Sequence, residues 1–416
     1  MKARYKYRIY PTDQQCNQLA QVFGCARVVY NDSLALCHKS LGGQHSGETP
    51  ELRPQKLPKN SELQKICITQ AKKTEERSWL KDVSVVALQQ SIIDLGTAWS
   101  NYFNFLSGKR KGRKLGKPRF KRRHNQQSIR FTKRGFTLKH QNFSLAKVGQ
   151  IKIAWSRKLP TEPSSVTIIK DTCNRYFASF VVEVQAEIVP AQNESIGVDL
   201  GIQIFAALSN DEKIYAPDYK TLDRKIRRNQ RRLSRQIKGS NRREKTRLKV
   251  AKLKAKVAAI RKDFLHKLST KLVKENQIIS LEDLNVSGMV KNRRLARAIS
   301  QAGWGMFRTM CEAKSNKFLR DVRVIERWQP TSQICADCGY KWGKLNLSIR
   351  EIVCFGCSKK QCRDGNASRV IDKVGLGHSH NGDKWTGSEC QTAIAATRVE
   401  LSTRLVEDNG QLCLPI

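Results

Sequence analysis

No run of 18 consecutive apolar residues occurs in this 416-residue chain, so no segment reads as a membrane-spanning helix. No signal-peptide pattern opens it either, and the expectation is a cytoplasmic, nucleoid-associated protein with no membrane partner. Acids are scarce beside bases: 36 Asp and Glu face 78 Lys and Arg, a net charge of +42. Such an excess makes a polyanion the first partner to consider, because each neutralised phosphate releases counterions. Nucleic acid outranks an anionic membrane surface. A disulfide framework is missing too: of 13 cysteines, four form two Cys-x-x-Cys pairs and the other nine are scattered. That usage fits reduced thiols. The length suggests roughly two to four domains.

What is present can be read in order. "KARYKYRIYP" alternates and breaks at Pro11, as an opening strand does. Over 13–41, Leu19, Val22, Phe23, Ala26, Val29, Tyr30 and Leu34 recur at helical spacing, with Asp13 as the expected N-cap. A Gly/Pro-rich break at 42–58 precedes a second helical stretch, 61–106, and together these read as a helical lobe. In 109–123, ten of fifteen residues are Lys or Arg, among them Lys117, Arg119 and Lys121. The bland alternative is a solvated linker; the charge density favours a phosphate-contacting loop. Short alternating runs follow between 128 and 189 ("SIRFT", "IKIAW", "VTIIK", "RYFASFVVEV"), a small β domain that the opening strand is expected to join.

In 195–209, Ile196, Val198, Leu200, Ile202 and Ile204 point one way along a strand; Gly197, Asp199, Gly201 and Gln203 point the other. "EKIYAP" offers a further strand. Residues 224–262 carry 18 Lys or Arg and one acid, Glu244, over a stripe of Ile226, Leu233, Ile237, Leu253, Val257, Ile260, Phe264 and Leu268. With "GSN" at 239–241 as the turn, this is a basic helical hairpin. A coiled-coil dimer is the alternative, but so positive a face repels its own copy. Arg227, Arg228, Arg231, Arg232 and Arg235 are therefore candidate nucleic-acid contacts. "NQIISLEDLN" reads as a buried strand ending at Glu282, "AISQAGWGMFRTMCEAKSNKFL" as a helix and "VRVIERWQ" as a strand. Beyond 373 the composition turns to Gly, Ser, Asn and Thr, and 375–416 is expected to be a flexible tail.

Asp199, Glu282 and Asp364 are each unremarkable alone. Their order is not: first strand, later strand, then the start of a late helix is the carboxylate order of RNase H-like nuclease folds. Three such acids hold two Mg²⁺ or Mn²⁺ ions about 3.5–4 Å apart, hard cations that take oxygen ligands. Cys335, Cys338, Cys354 and Cys357 form C-x₂-C-x₁₅-C-x₂-C, the spacing of a closed structural Zn²⁺ ribbon. Cys362 is left as an extra thiol.

The ordered motifs "RIYPTDQQ", "SWLKDVSVVALQQS", "GKPRFKRR", "IGVDLGI", "FLHKLSTKLV", "SLEDLN", "KNRRLARAISQAGWGMF", "TSQICADCGY" and "RDGNA" resemble the TnpB family of insertion-sequence proteins. The resemblance implies an α+β multidomain chain. A RuvC-like nuclease domain (191–330 and 359–374) would carry the hairpin at 223–272 and an inserted zinc ribbon at 331–358. A wedge-like β-barrel domain (1–12 and 124–190) would be interrupted by a recognition lobe at 13–106, with a basic linker at 107–123. It implies catalysis by Asp199, Glu282 and Asp364, a transposon-end guide RNA, and target DNA cut beside a short flanking motif. Gln89 falls where the family contacts that motif, and Asn292, Arg293 and Arg294 lie in a shared basic motif. A monomer is the favoured state.

The chain departs from the family at Gln361-Cys362, where His-Asp is usual, at Ser368, where Ala is usual, and at Val370, where Asn is usual. The competing readings are a nuclease-weak or nuclease-dead guided repressor, a transposase proper, and a compact CRISPR effector of the same descent. The intact acid triad favours the enzyme over the repressor, and the hairpin, ribbon and lobe favour the guided nuclease over the transposase.

Overall fold

The computed structural model describes residues 1–41, 57–110, 112, 114–123, 126–346, 348–381 and 384–386. These divide into two units, Lys2–Val184 and the residues from Gln185 onward.

The first unit is built on a seven-stranded antiparallel sheet whose opening strand is separated from the rest by helices. β1 (Lys2–Tyr10) leads into α1 (Asp13–Ser40), then the short α2 (Asn60–Gln64), a wide π-turn over 65–70 and tight 3₁₀ turns over 71–81, and α3 (Val85–Leu106). The sheet resumes with β2 (Gln127–Thr132), β3 (Phe136–Lys139), β4 (Asn142–Leu145), β5 (Gly149–Ala154), β6 (Ser165–Lys170) and β7 (Tyr176–Glu183). The strand order is β2-β6-β7-β1-β5-β4-β3, so β1 sits between β7 and β5. All seven apolar residues picked out for α1 are buried. They pack with Leu88, Ile92 and Leu95 of α3 and with Phe131 and Phe180 of the sheet. The N-cap of α1 is Thr12 rather than Asp13. Its hydroxyl accepts the Gln15 N–H while Gln15 accepts the Thr12 N–H, a reciprocal capping box. Residues 61–106 are not one helix: α3 is distinct from the irregular turns before it.

The second unit centres on a five-stranded mixed sheet. β8 (Asn193–Leu200), β9 (Ala206–Leu208) and β10 (Lys213–Ile214) form an antiparallel meander, followed by α4 (Lys220–Ser234) and α5 (Asn241–Glu275). β11 (Asn276–Glu282) then pairs parallel to β8; α6 (Val286–Met289), α7 (Ala296–Ala302) and α8 (Trp304–Phe318) lead to β12 (Asp321–Ile325), parallel to β11. The order is β10-β9-β8-β11-β12. A small hairpin of β13 (Glu351–Val353) and β14 (Lys360–Cys362) precedes α9 (Arg363–Gly375). A last hairpin joins β15 (Ser379–Asn381) to β16 (Lys384–Thr386).

Several expectations need correcting. The strand through 195–209 stops at Leu200, and the chain turns over 201–204, leaving Ile202 exposed. The stretch 298–319, expected as one helix, holds two helices broken at Gly303, whose φ is +75°. Ile237 lies in the α4–α5 turn and is 80% exposed, so it belongs to no buried stripe. The expected flexible tail begins with the end of α9 and the β15–β16 hairpin; its remainder, 387–416, lies outside the described residues.

Candidate functional site

Period-two alternation places two carboxylates on one face of the five-stranded sheet. On β8, Ile196, Val198 and Leu200 face a core completed by Leu281 of β11, Leu268 and Leu272 of α5 and Phe307 of α8. The alternate residues, Gly197 and Asp199, face the other way. There α9 lies against the sheet so closely that a Cβ on Gly197 would stand 2.0 Å from the Ser368 carbonyl. On β11 the equivalent pair is Ser280 and Glu282: a Cβ on Gly375 of α9 would stand 1.9 Å from Ser280 Oγ. Val198 and Leu281 are register partners, so Asp199 and Glu282 follow at the same carboxyl-terminal edge.

The third acid, Asp364, is in the first turn of α9, where a carboxylate is favoured by the helix dipole. Glu282 of β11 and Asp364 of α9 are thus both brought within charge range of Asp199 on β8. Burial, then the charges of Glu282 and Asp364, push Asp199 up to about 8, against the pull of Arg363 and Arg350. Burial raises Glu282 as well, and the Thr331 hydroxyl, which donates to its Oε1 at 2.6 Å, works against that rise. An assembly that penalises its own negative charge this strongly could accept cations, and all-oxygen donors suit hard divalent ions.

Sequence reasoning missed two partners of these acids, Thr331 and Arg350. Arg350 Nη1 reaches both Asp364 oxygens, at 3.3 and 3.4 Å, and its Nη2 donates to Gln203 at 3.3 Å. One arginine among 78 bases, 14 residues from its partner, leaves no signal in a single sequence.

The departures near Asp364 fit the packing. The Ser368 hydroxyl donates to the Gly365 carbonyl at 2.8 Å, and Val370 is buried. Arg369 donates to Oε1 of the Gln361 side chain at 2.8 Å.

Cys335, Cys338, Cys354 and Cys357 converge, with all four sulfurs within 4.8 Å of one another. Among the described residues this is the one group of three or more potential ligands gathered so tightly; the three carboxylates are spread more widely. The Sγ separations of 3.8 Å (Cys335–Cys357) and 3.5 Å (Cys338–Cys354) are far beyond a disulfide. They match the roughly 3.8 Å edge of a tetrahedron built on Zn–S bonds of about 2.3 Å. Backbone N–H groups of Tyr340 and Gly356 point at Cys338 and Cys354 sulfurs at 3.4 and 3.3 Å, as befits thiolates. The donor set fits a closed tetrahedral metal site.

The candidate nucleic-acid contacts are divided between the two units. Arg227, Arg228, Arg231 and Arg232 line the exposed side of α4, and Arg235 is exposed just past its end. Arg293 and Arg294 are exposed after α6, and Asn292 accepts the Arg294 N–H at 3.0 Å in a local turn. In the other unit, Gln89 is half-buried on α3. Lys117, Arg119 and Lys121 are exposed, the last with its ammonium 4.0 Å from the Tyr30 ring centroid. No helix among the described residues is long and apolar enough to cross a membrane.

Three family models match this chain: a probable transposase over 179–293, a helix-turn-helix domain over 1–42, and a Cas12f1-like TNB domain over 304–371. In this structure the second region is β1 followed by the single helix α1. A Streptomyces pristinaespiralis protein named "Putative RNA-guided DNA endonuclease" is 40% identical over 92% of both chains. An Escherichia coli K12 protein of the same name, with the suffix InsQ, is 28% identical over 90% of this chain and 92% of its own. The chain belongs to the TnpB family. TnpB-like proteins of Acanthamoeba polyphaga mimivirus match as well, at 24% identity over 89% of this chain. In fold, the chain resembles the protein in a cryo-EM structure of the Cas12f1–sgRNA–target DNA complex. That likeness has a TM-score of 0.50 at 14% identity, over 86% of this chain and 83% of the other.

Proposed function

We propose that this chain is an RNA-guided DNA endonuclease of an insertion sequence, which binds a guide RNA and hydrolyses target DNA at Asp199, Glu282 and Asp364. The observation that carries the reading is that Glu282 of β11 and Asp364 at the start of α9 come within charge range of Asp199 on β8, in a chain of net charge +42. The meander-plus-parallel order β10-β9-β8-β11-β12, with α9 across it, supports a RuvC-like domain of the RNase H class. On this reading the seven-stranded sheet is the wedge domain, α1 to α3 are the recognition lobe, and the four-cysteine hairpin is an inserted Zn²⁺ ribbon. The protein works as a monomer with its RNA, inside the cell where its DNA lies.

Two Mg²⁺ or Mn²⁺ ions, when bound, would activate water and stabilise the leaving oxygen. The chain's own part is to hold the carboxylates and balance their charge. Asp199, whose proton affinity both Glu282 and Asp364 raise, would hold the ions together with them. Thr331 fixes the orientation of Glu282, and Arg350 offsets the charge of Asp364. The basic face of α4 tracks a phosphate backbone and supplies affinity without reading sequence. Sequence is read by base pairing with the guide.

The test is purification from cells carrying the native locus, sequencing of co-purified RNA, and a Mg²⁺-dependent cleavage assay on a plasmid library with randomised flanks. Discrete RNA with cuts beside one short motif is the expected result. Guided binding without cuts would instead make the chain a repressor.

A further inference from the structure

Besides its own backbone bonds, Cys335 N–H to the Tyr340 carbonyl and Gly339 N–H to the Cys335 carbonyl, the first Cys-x-x-Cys loop, 334–339, is held by side chains that come after it in the chain. Asn366, fully buried on α9, accepts the Ala336 N–H at 2.8 Å and donates to the Ile334 carbonyl at 2.7 Å. Lys373, two turns further along α9, donates to the Ala336 carbonyl at 2.6 Å. Trp385 of β16 donates its indole N–H to the Cys335 carbonyl at 2.9 Å, and the His380 ring nitrogen of β15 donates to the Gly339 carbonyl at 2.6 Å. The two rings meet edge to face at 5.4 Å, and the Lys373 ammonium lies 5.3 Å from the Trp385 ring centroid. A second thread runs to a sulfur: Gln361 Nε2 donates to Cys335 Sγ at 3.4 Å, its Oε1 accepts from Arg369, and Arg369 pairs with Asp211.

Asn366 stands two residues after Asp364, and both polar ends of its amide are spent on the cysteine loop. A loop of this kind takes most of its order from its metal. Filling the thiolates fixes Ile334 and Ala336. These fix Asn366, and with it the first turns of α9. A loop left to move by empty thiolates would deprive that buried amide of its partners and loosen the restraint on the turn.

We propose that metal occupancy of the four-thiolate site sets the position of Asp364, with Asn366 as the positioning residue and the β15–β16 hairpin as the clasp that closes the unit. The thiolate site then controls divalent-ion binding at the carboxylates. This rests on the reading of Asp199, Glu282 and Asp364 as a metal site.

The experiment uses full-length protein with Co²⁺ in the thiolate site, and follows Mn²⁺ binding by the electron paramagnetic resonance of free Mn²⁺. Loss of a supporting partner typically weakens a metal site by about 10–100-fold. Asn366→Ala is expected to weaken Mn²⁺ binding by about tenfold while the thiolate–Co²⁺ charge-transfer band stays in place. Wild-type protein stripped of thiolate metal is expected to show the same loss. Should Asn366→Ala fail to fold, Trp385→Phe, which removes the hydrogen bond to the Cys335 carbonyl and shrinks the ring that His380 and Lys373 touch, is expected to weaken Mn²⁺ binding in the same direction. Unchanged Mn²⁺ affinity in the stripped protein and in the folded variants, with Asp199→Asn abolishing binding, overturns the coupling and leaves the nuclease reading standing. Mn²⁺ binding that survives Asp199→Asn overturns both.

Discussion

Arg350 grips Asp364 through one guanidinium nitrogen, 3.3 Å from Oδ1 and 3.4 Å from Oδ2. It stands in for positive charge beside a carboxylate that otherwise acts on Asp199. Half of the Arg350 side chain is open to solvent, which keeps the pair weak, in the range of about 0–1 kcal/mol. A divalent ion approaching Asp364 has to compete with it. Arg350→Ala is therefore expected to tighten Mn²⁺ binding to the RNA-free protein by no more than about fivefold, with little change in stability. Mn²⁺ titration of the two proteins at equal ionic strength checks this. Weaker binding in the variant would mean that Arg350 supports the site.

Asp199 gives a pH prediction with a definite sign. Its folded-state pKa is raised to about 8, by burial and by two neighbouring carboxylates. A carboxyl that holds its proton more tightly folded than unfolded stabilises the fold at low pH. That contribution fades as pH climbs from the ordinary carboxylate range and is gone above about 8. Metal-free wild type should thus lose thermal stability between pH 5 and pH 8, relative to Asp199→Asn, whose amide does not titrate. Mg²⁺ should narrow the gap at pH 8. Parallel melting curves for the two proteins would refute the assignment.

How much of this could be read from the chain depended on whether local chemistry decided the outcome. The α1 stripe was legible because one helix face is buried along its length, and β11 because Ile278, Ile279 and Leu281 precede Glu282. The four cysteines were legible because tetrahedral ligation needs their spacing. Other features rest on tertiary contacts. The break at Gly303 is needed because α7 and α8 turn against α5, where a Cβ on that glycine would stand 3.2 Å from the Arg261 side chain. The β15–β16 hairpin has a polar, glycine-bearing sequence that reads as tail, and takes its place from two rings anchored on the cysteine loop. Arg350 is visible only once the loop before β13 is folded.

Gly197 tests how tightly α9 is held. An added Cβ would collide with the Ser368 carbonyl at 2.0 Å and the Asp372 N at 2.6 Å, both backbone atoms that cannot swing aside. Gly197→Ala should destabilise the chain by about 3 kcal/mol or more and move Asp364 with the helix, so that Mn²⁺ binding falls as well. Gly305, in the first turn of α8, has nothing within 4 Å of the same added atom. Gly305→Ala should be neutral or stabilising by up to about 1 kcal/mol. Urea unfolding of the two variants beside wild type makes the comparison. Equal stabilities would show that α9 can lift from β8 at no cost.

The thiol assignment separates by deletion. Cys338 accepts the Tyr340 N–H at 3.4 Å and lies 3.5 Å from Cys354, inside the tetrad. Cys362 precedes α9 as its N-cap residue and is not part of that group. A four-thiolate site supports folding through its metal, so Cys338→Ser should lower both bound Zn²⁺ and melting temperature. Because the same loop is bonded to Asn366 and Lys373, the damage should extend to α9 and appear as faster amide exchange in its first turns. Cys362→Ser should keep one Zn²⁺ per chain and an unchanged melting temperature. Zinc released on thiol modification, counted per chain, decides the matter: a full equivalent from Cys338→Ser, or none from Cys362→Ser, would place the metal on a different set of sulfurs.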